Sequence, residues 1–287
     1  MPVGFAQPSL QRRRAPPRRA GVARRPCHFS VRDSSSFRIA LTRSGIGAGR
    51  YDSSMDALES RMIEGDCGNE AMTTRDASSE NLAAHWEQVY VSRSDADLSW
   101  HQAEPAISFN LVREFAMPGA RVIDVGGGSS ALAGRLAEAG FDVTVLDISP
   151  AALARARVRN ARWSDRIRWV TGDVTDLNDV GEFDLWHDRA VFHFLTREQD
   201  RARYSALAAR SVTPGGHLVI GTFAIDGPER CSGLPIERYD TERLSEEFSA
   251  RFEVRRTFHE THVTPWGKPQ PFFFAVLRRT GLAETKE

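Results

Sequence analysis

Val122-Ile123-Asp124-Val125-Gly126-Gly127-Gly128-Ser129-Ser130 opens as an apolar run, turns through three consecutive glycines and passes two serines into a segment with helical spacing, Leu132, Leu136 and Ala139. The run predicts a buried strand, the glycines a turn where backbone approaches something closely, and the serines a helix N-terminus. Such a junction aims unpaired N–H groups and the positive end of a helix dipole at one spot, a setting suited to a nucleotide-like ligand.

Outward from that junction the chain alternates. After the strand at 121–126, a helix ends at Gly140, and the strand Asp142–Asp147 precedes a helix with Ser149 as N-cap and Pro150 at its first position. The strands Ile167–Thr171 and Phe183–Asp188 follow. Thr196-Arg197-Glu198-Gln199 has capping-box spacing and starts a helix through Tyr204 and Leu207. Pro214-Gly215-Gly216 turns into the strand His217–Ala224, and Asp240 caps a helix with Leu244 and Phe248 inward. Alternating strands and helices predict a doubly wound α/β fold, a mostly parallel sheet with helices on both faces. The finish differs: Phe252–Val263 and Gln270–Arg279 flank Pro265-Trp266-Gly267-Lys268-Pro269, a hairpin-like antiparallel strand pair. Upstream of the junction lie two helices. One follows Ser78-Ser79 and carries Leu82, Ala83, Trp86 and Val89; the other opens at Glu104-Pro105 with Ile107, Leu111, Val112 and Phe115 inward.

Residues 1–78 read differently. They hold Arg12-Arg13-Arg14, Arg18-Arg19 and Arg24-Arg25 with prolines and serines and no sustained period, so this stretch is expected to be a disordered extension ahead of a folded domain at 79–282. The formal net charge of zero hides the split: residues 1–71 carry 12 Arg against 7 acids. Three readings are open for the extension: a mis-assigned start with Met72 as the true beginning, an unstructured basic tail, or an organellar transit peptide. Without the last, the expected compartment is the cytoplasm. The hydrophobic content of 41% is that of an ordinary globular protein, and no apolar run approaches the ~20 residues of a membrane span. The 3 cysteines, Cys27, Cys67 and Cys231, are scattered, which argues against a disulfide framework and against a metal site.

Gly126-x-Gly128-x-x-Ala131, with Asp147 about 20 residues on, satisfies a loose dinucleotide fingerprint. A nicotinamide-dependent oxidoreductase is therefore one reading. Asp124 points away from it, because a carboxylate at the mouth of the first strand opposes a pyrophosphate and suits a ligand bearing an ammonium and a sulfonium. Gly172-Asp173-Val174 closes the third strand and offers a carboxylate and a backbone N–H to an adenine edge.

Taken in order, these motifs resemble those of class I S-adenosylmethionine-dependent methyltransferases over roughly residues 80–280. Asp124-Val125-Gly126-Gly127-Gly128 resembles the first motif, with Ser130 where a third spaced glycine is usual. Val145-Leu146-Asp147 resembles the ribose-binding motif, Thr171-Gly172-Asp173-Val174 the adenine-contacting one, and Phe183-Asp184-Leu185-Trp186-His187-Asp188 the fourth strand. The runs 186–195 and 226–235 resemble those of a bacterial subgroup whose acceptor they do not name. The resemblance implies a Rossmann-like sheet of seven strands with one reversed strand at its edge, S-adenosylmethionine as cofactor, and cofactor contacts at Asp124, Gly126, Gly127, Gly128, Asp147, Ile148, Asp173, Val174, His187 and Trp100. A non-catalytic module that keeps the fold is a third reading.

Near the chemistry, His187 and Asp188 are the catalytic candidates, at the carboxyl end of a strand where open α/β sheets place their sites. Methyl transfer is an in-line displacement that needs a base only when the acceptor must lose a proton. His193 reads equally as a histidine packed between Phe192 and Phe194, and Trp86 and Tyr90 read as core. Trp100-His101-Gln102 reads as a lid segment, and 226–235 as a wall of an acceptor pocket. Cys231, with no activating neighbour, is not expected to be a nucleophile. The acceptor is expected to be a small molecule or a protein side chain; nucleic acid is disfavoured for want of an Asn/Asp-Pro-Pro-Tyr or Pro-Cys signature. A monomer or weak homodimer, with no membrane association, is expected.

Overall fold

The computed structural model describes residues 77–281, so the reading of the extension lies, but for its last two residues, outside the described part. Seven strands form one sheet: β1 Arg121–Val125, β2 Asp142–Asp147, β3 Ile167–Thr171, β4 Phe183–Arg189, β5 Val212–Phe223, β6 Phe252–Val263 and β7 Pro269–Arg279. Their order across the sheet is β3-β2-β1-β4-β5-β7-β6. The first five run parallel, and β7 runs antiparallel to both β5 and β6. Because the last two strands form a hairpin, the reversed strand sits one place in from the edge.

Parallel strands covered on both faces carry apolar residues at successive positions, and alternation sends neighbours to opposite sides. Ile123, Val125, Trp186, Leu218 and Ile220 pack with α5 Glu198–Ser211 and α6 Thr241–Phe248 on one face. Val122, Val143, Leu185 and Val219 pack with α2 Ala106–Phe115 and α3 Leu132–Glu138 on the other. Burying the largest of these side chains contributes about 1.5–3 kcal/mol each, and that holds the strand ends in register. Outside these layers, α1 Ala77–Ser92 docks on α4 Pro150–Arg159, where Val89, Tyr90, Leu98 and Ala152 form a third small core.

Most predicted bounds hold, and four details differ. The first helix starts at Ala77, so Ser78 and Ser79 lie within it rather than capping it. α4 has the cap expected of Ser149, whose hydroxyl accepts from the Ala152 N–H, but Glu87 on α1 joins it by accepting from the Ser149 hydroxyl at 2.6 Å and the Ala151 N–H at 3.0 Å. The capping box at Thr196 does not form. Arg197 takes the cap position and pairs with Asp200 instead. Pro214-Gly215-Gly216 lies inside β5 as an irregularity, since the pairing steps from Phe183↔Val212 to Leu185↔His217.

Candidate active site

The glycine turn is fixed by the protein's own packing. Gly126 and Gly128 have φ of 64° and 55°, a region costly for residues with a Cβ. A Cβ on Gly126 would overlap Val191, and one on Gly128 would overlap the Tyr90 hydroxyl. Gly127 has no more room, with Val145 Cγ1 2.6 Å and Asp124 Oδ2 2.9 Å from its notional Cβ. The two serines tie the turn down: Ser129 donates to Asp95 at 2.8 Å, and Ser130 Oγ accepts from the Leu132 N–H at 3.0 Å.

Three carboxylates line the carboxyl edge of the sheet beside this turn. Asp147 ends β2 and is buried; its Oδ2 accepts from the Gly128 N–H at 2.8 Å and its Oδ1 from the Ser149 N–H at 2.9 Å. Burial pushes its pKa up to about 6 against those two hydrogen bonds. Each oxygen keeps a lone pair for a further donor. Asp173, just past β3, accepts from the Thr175 N–H and hydroxyl through Oδ1 alone, and burial moves its pKa upward. Asp124 stands opposite His187 in the β1–β4 register, and its Oδ1 lies 2.7 Å from His187 Nδ1 in a buried pair. His187 Nε2 has no partner among the described residues.

Two adjoining cavities receive these groups. The first is lined by Asp147, Ile148, Asp173 and Val174 on the sheet side, and by Leu82, Trp86 and Tyr90 of α1 across from them. The second is lined by Asp124, Gly126, Gly127, Ser129, Ser130 and His187. Gly126, Tyr90, Trp100 and Arg189 border both. Nine of the ten cofactor candidates are thus brought together. Gly128 lines neither cavity: the Tyr90 hydroxyl covers it, and its contribution is the N–H given to Asp147.

Asp188 is not with them. Strand alternation turns it to the face opposite His187, where its carboxylate accepts from the Val191 N–H at 2.9 Å, the Phe192 N–H at 3.1 Å and the Tyr204 hydroxyl at 2.6 Å. Burial raises its pKa to about 6. The catalytic assignment of Asp188 is therefore corrected: it holds the turn at Ala190, a non-glycine residue with φ of 75°, and so sets Val191 against Gly126. His193 is fully buried against Phe194 and Phe223, with its pKa driven down to about 3 by burial and by Arg189. Cys231 borders the first cavity, and burial lifts its thiol to about 11, the condition of an unreactive cysteine.

Trp86, Tyr90 and Arg189 are among the lining residues that the sequence does not mark as such. Trp86 and Tyr90 sit one helical turn apart, a spacing that looks the same whether the face meets a core or a cavity. Arg189 follows Asp188 in the run singled out above, but nothing in that run marks it as facing the cleft.

Residues 122–216 match the family described as Methyltransferase domain. The ubiquinone biosynthesis O-methyltransferase of Xanthomonas campestris is 29% identical over 125 residues, which cover 43% of this chain and 51% of that one. An uncharacterized methyltransferase of Mycobacterium bovis is 39% identical over 104 residues, 36% of this chain and 50% of that one. The chain spans about half the length of the curated relatives it matches. Among solved structures, the N-methyltransferase NodS from Bradyrhizobium japonicum in complex with S-adenosyl-L-homocysteine superposes with a TM-score of 0.54 at 18% identity, covering 72% of this chain and 100% of that one. The 1,6-didemethyltoxoflavin-N1-methyltransferase of Burkholderia thailandensis, with 1,6-didemethyltoxoflavin and S-adenosylhomocysteine bound, gives 0.54 at 18% identity over 76% and 94%.

Proposed function

We propose that this chain, whose residues 122–216 match a methyltransferase domain, is a class I enzyme that transfers a methyl group from S-adenosylmethionine to a small-molecule acceptor. The observation that carries the reading is the row Asp124, Asp147 and Asp173 along two adjoining cavities. Three carboxylates suit a ligand that is cationic at one end and rich in hydroxyl and amine donors at the other. They do not suit a dinucleotide: the Gly128 N–H that a pyrophosphate would take is already given to Asp147, and Asp124 adds negative charge at the same turn.

When bound, S-adenosylmethionine supplies an electrophilic methyl on a sulfonium sulfur. The chain's own residues bind and orient. The spare lone pairs of Asp147 accept the ribose hydroxyls, and Asp173 with the backbone of Val174 takes the adenine edge. Asp124, its orientation fixed by His187, faces the ammonium end. Trp86, Tyr90 and Trp100 close over the cleft and exclude water. Holding the acceptor in line accounts for most of the rate in such a displacement. A curated relative named for ubiquinone biosynthesis and a solved neighbour with 1,6-didemethyltoxoflavin bound both carry small-molecule names, which supports the acceptor class proposed here.

Isothermal titration with S-adenosylhomocysteine and with NAD(P) tests the cofactor. Binding of the first and not the second is expected, and the reverse would overturn the reading. Transfer of labelled methyl from S-adenosylmethionine into fractionated extract tests the acceptor, with label expected in the small-molecule fraction rather than in protein or RNA.

A further inference from the structure

Arg189 ends β4 at the place where the two cavities meet. Its Nη1 donates to the Trp100 carbonyl at 3.0 Å, and its guanidinium lies 4.5 Å from the centroid of the Phe272 ring, so the group is fixed in orientation. The side chain is half-buried, yet Nε and Nη2 are sealed from solvent and have no partner among the described residues. Glu260, whose charge acts on it, forms no ion pair with it and leaves its own buried Oε2 unpartnered. Ser232 Oγ, beside Cys231, and Gln270 Oε1, opposite His262 in the β6–β7 register, are in the same condition. His262 Nε2 donates to the Ser99 carbonyl at 2.7 Å, so segment 99–100 is fastened over this corner by two side chains.

Native proteins leave few buried polar groups unpaired, and a buried cation without a counter-ion is among the costliest cases. Nε and Nη2 form one edge of the guanidinium, the two parallel donors that a carboxylate takes as a fork. Around the guanidinium stand Glu260 of β6, Phe272 of β7 and Cys231 of the short hairpin Arg230–Cys231 and Leu234–Pro235, across the sheet order from the β1–β3 half that carries Asp124, Asp147 and Asp173.

We propose that Arg189 is the acceptor anchor, and that the methyl acceptor is a small molecule bearing a carboxylate held by Nε and Nη2. The assignment rests on the methyltransferase reading. It makes Arg189 a specificity residue, with Glu260 beside it available to a donor group of the acceptor.

The test uses the full chain saturated with S-adenosylhomocysteine and titrates benzoate and benzamide as probes. Benzoate is expected to bind and benzamide not, with benzoate affinity reduced by about tenfold or more in Arg189→Gln, as for loss of a charge-assisted pair. Equal binding of benzoate to wild type and variant, or none to wild type, would overturn the proposal. The cofactor's own carboxylate is the competing guest. S-adenosylhomocysteine carries it and 5′-methylthioadenosine does not, so both are titrated against Arg189→Gln. The same change for both is expected, since the lost tie to Trp100 bears on either ligand alike, and a loss confined to S-adenosylhomocysteine overturns the assignment to the acceptor. Absence of S-adenosylhomocysteine binding to wild type would instead sink the methyltransferase reading. The ligand-free variant is expected to melt at or above the wild-type temperature, because a buried unpaired charge has been removed. A drop would mark Arg189 as a structural clamp on Trp100. If Arg189→Gln does not fold, Arg189→Lys keeps the charge without the fork and is expected to lose benzoate selectivity.

Discussion

Asp147 and Asp188 are buried carboxylates with the same raised pKa, about 6, and different tasks. Asp188 spends its oxygens on three internal donors, whereas Asp147 accepts one donor on each oxygen and borders the first cavity. Asp188→Asn should therefore act on stability, by about 1–3 kcal/mol as backbone donors lose their acceptor, with a smaller effect on S-adenosylhomocysteine affinity. Asp147→Ala should weaken that affinity by roughly 1.5–3 kcal/mol. Denaturant midpoints and titration calorimetry separate the two, and an unchanged dissociation constant for Asp147→Ala would mean that the ribose is held elsewhere. The raised values also give a pH dependence. In the folded protein these groups hold protons that the unfolded chain has already released, so their contribution favours folding below about pH 4 and is lost as pH rises through about 6. Ribose hydroxyls favour the ionised carboxylate, so cofactor affinity should climb from about pH 5 to about pH 7 with release of a proton. Calorimetry in buffers of different ionisation enthalpy measures that proton. Asp188→Asn should leave the proton release in place, and Asp147→Ala should remove it.

Between elements, the decisive contact is that of α1 with the glycine turn. Tyr90 covers Gly128, Glu87 caps α4, and Asp95 receives Ser129 together with Arg155 and Arg159 of α4. Gly128→Ala meets two penalties: about 1–2 kcal/mol for an L-residue at positive φ, and the overlap with the Tyr90 hydroxyl. Tyr90→Phe removes only the second. A double-mutant cycle should show that Tyr90→Phe recovers part of the stability lost in Gly128→Ala, and strictly additive losses would show the two do not couple. This contact also marks where sequence reading stops. β2, β3 and β6 have the predicted ends because their apolar runs and turn residues carry the signal locally. The Asp124–His187 pair joins residues 63 apart through lateral register between β1 and β4, which no local pattern encodes. The separation of His187 from Asp188 was legible, since neighbours on a strand face opposite sides; two adjacent catalytic candidates could not both face one cleft.

Across the molecule, the sheet divides the labour. β1, β2 and β3 present the carboxylates, while β4 ends in the arginine beside Glu260 of β6 and Phe272 of β7, so that on the proposed reading the cofactor meets the first group and the acceptor the second. Every group assigned to the candidate site lies between Leu82 and Gln270. If the folding and binding unit is the segment proposed from sequence, a chain beginning at Met72 should bind S-adenosylhomocysteine within about twofold of the full chain, a difference below ~0.5 kcal/mol. Its melting temperature should shift by no more than about 2 °C, as for a change of well under 1 kcal/mol in a domain of this size. The α1 helix begins five residues after Met72, which leaves its docking on α4 intact. A large loss of either quantity would show that the upstream residues support α1, and through Tyr90 the glycine turn itself.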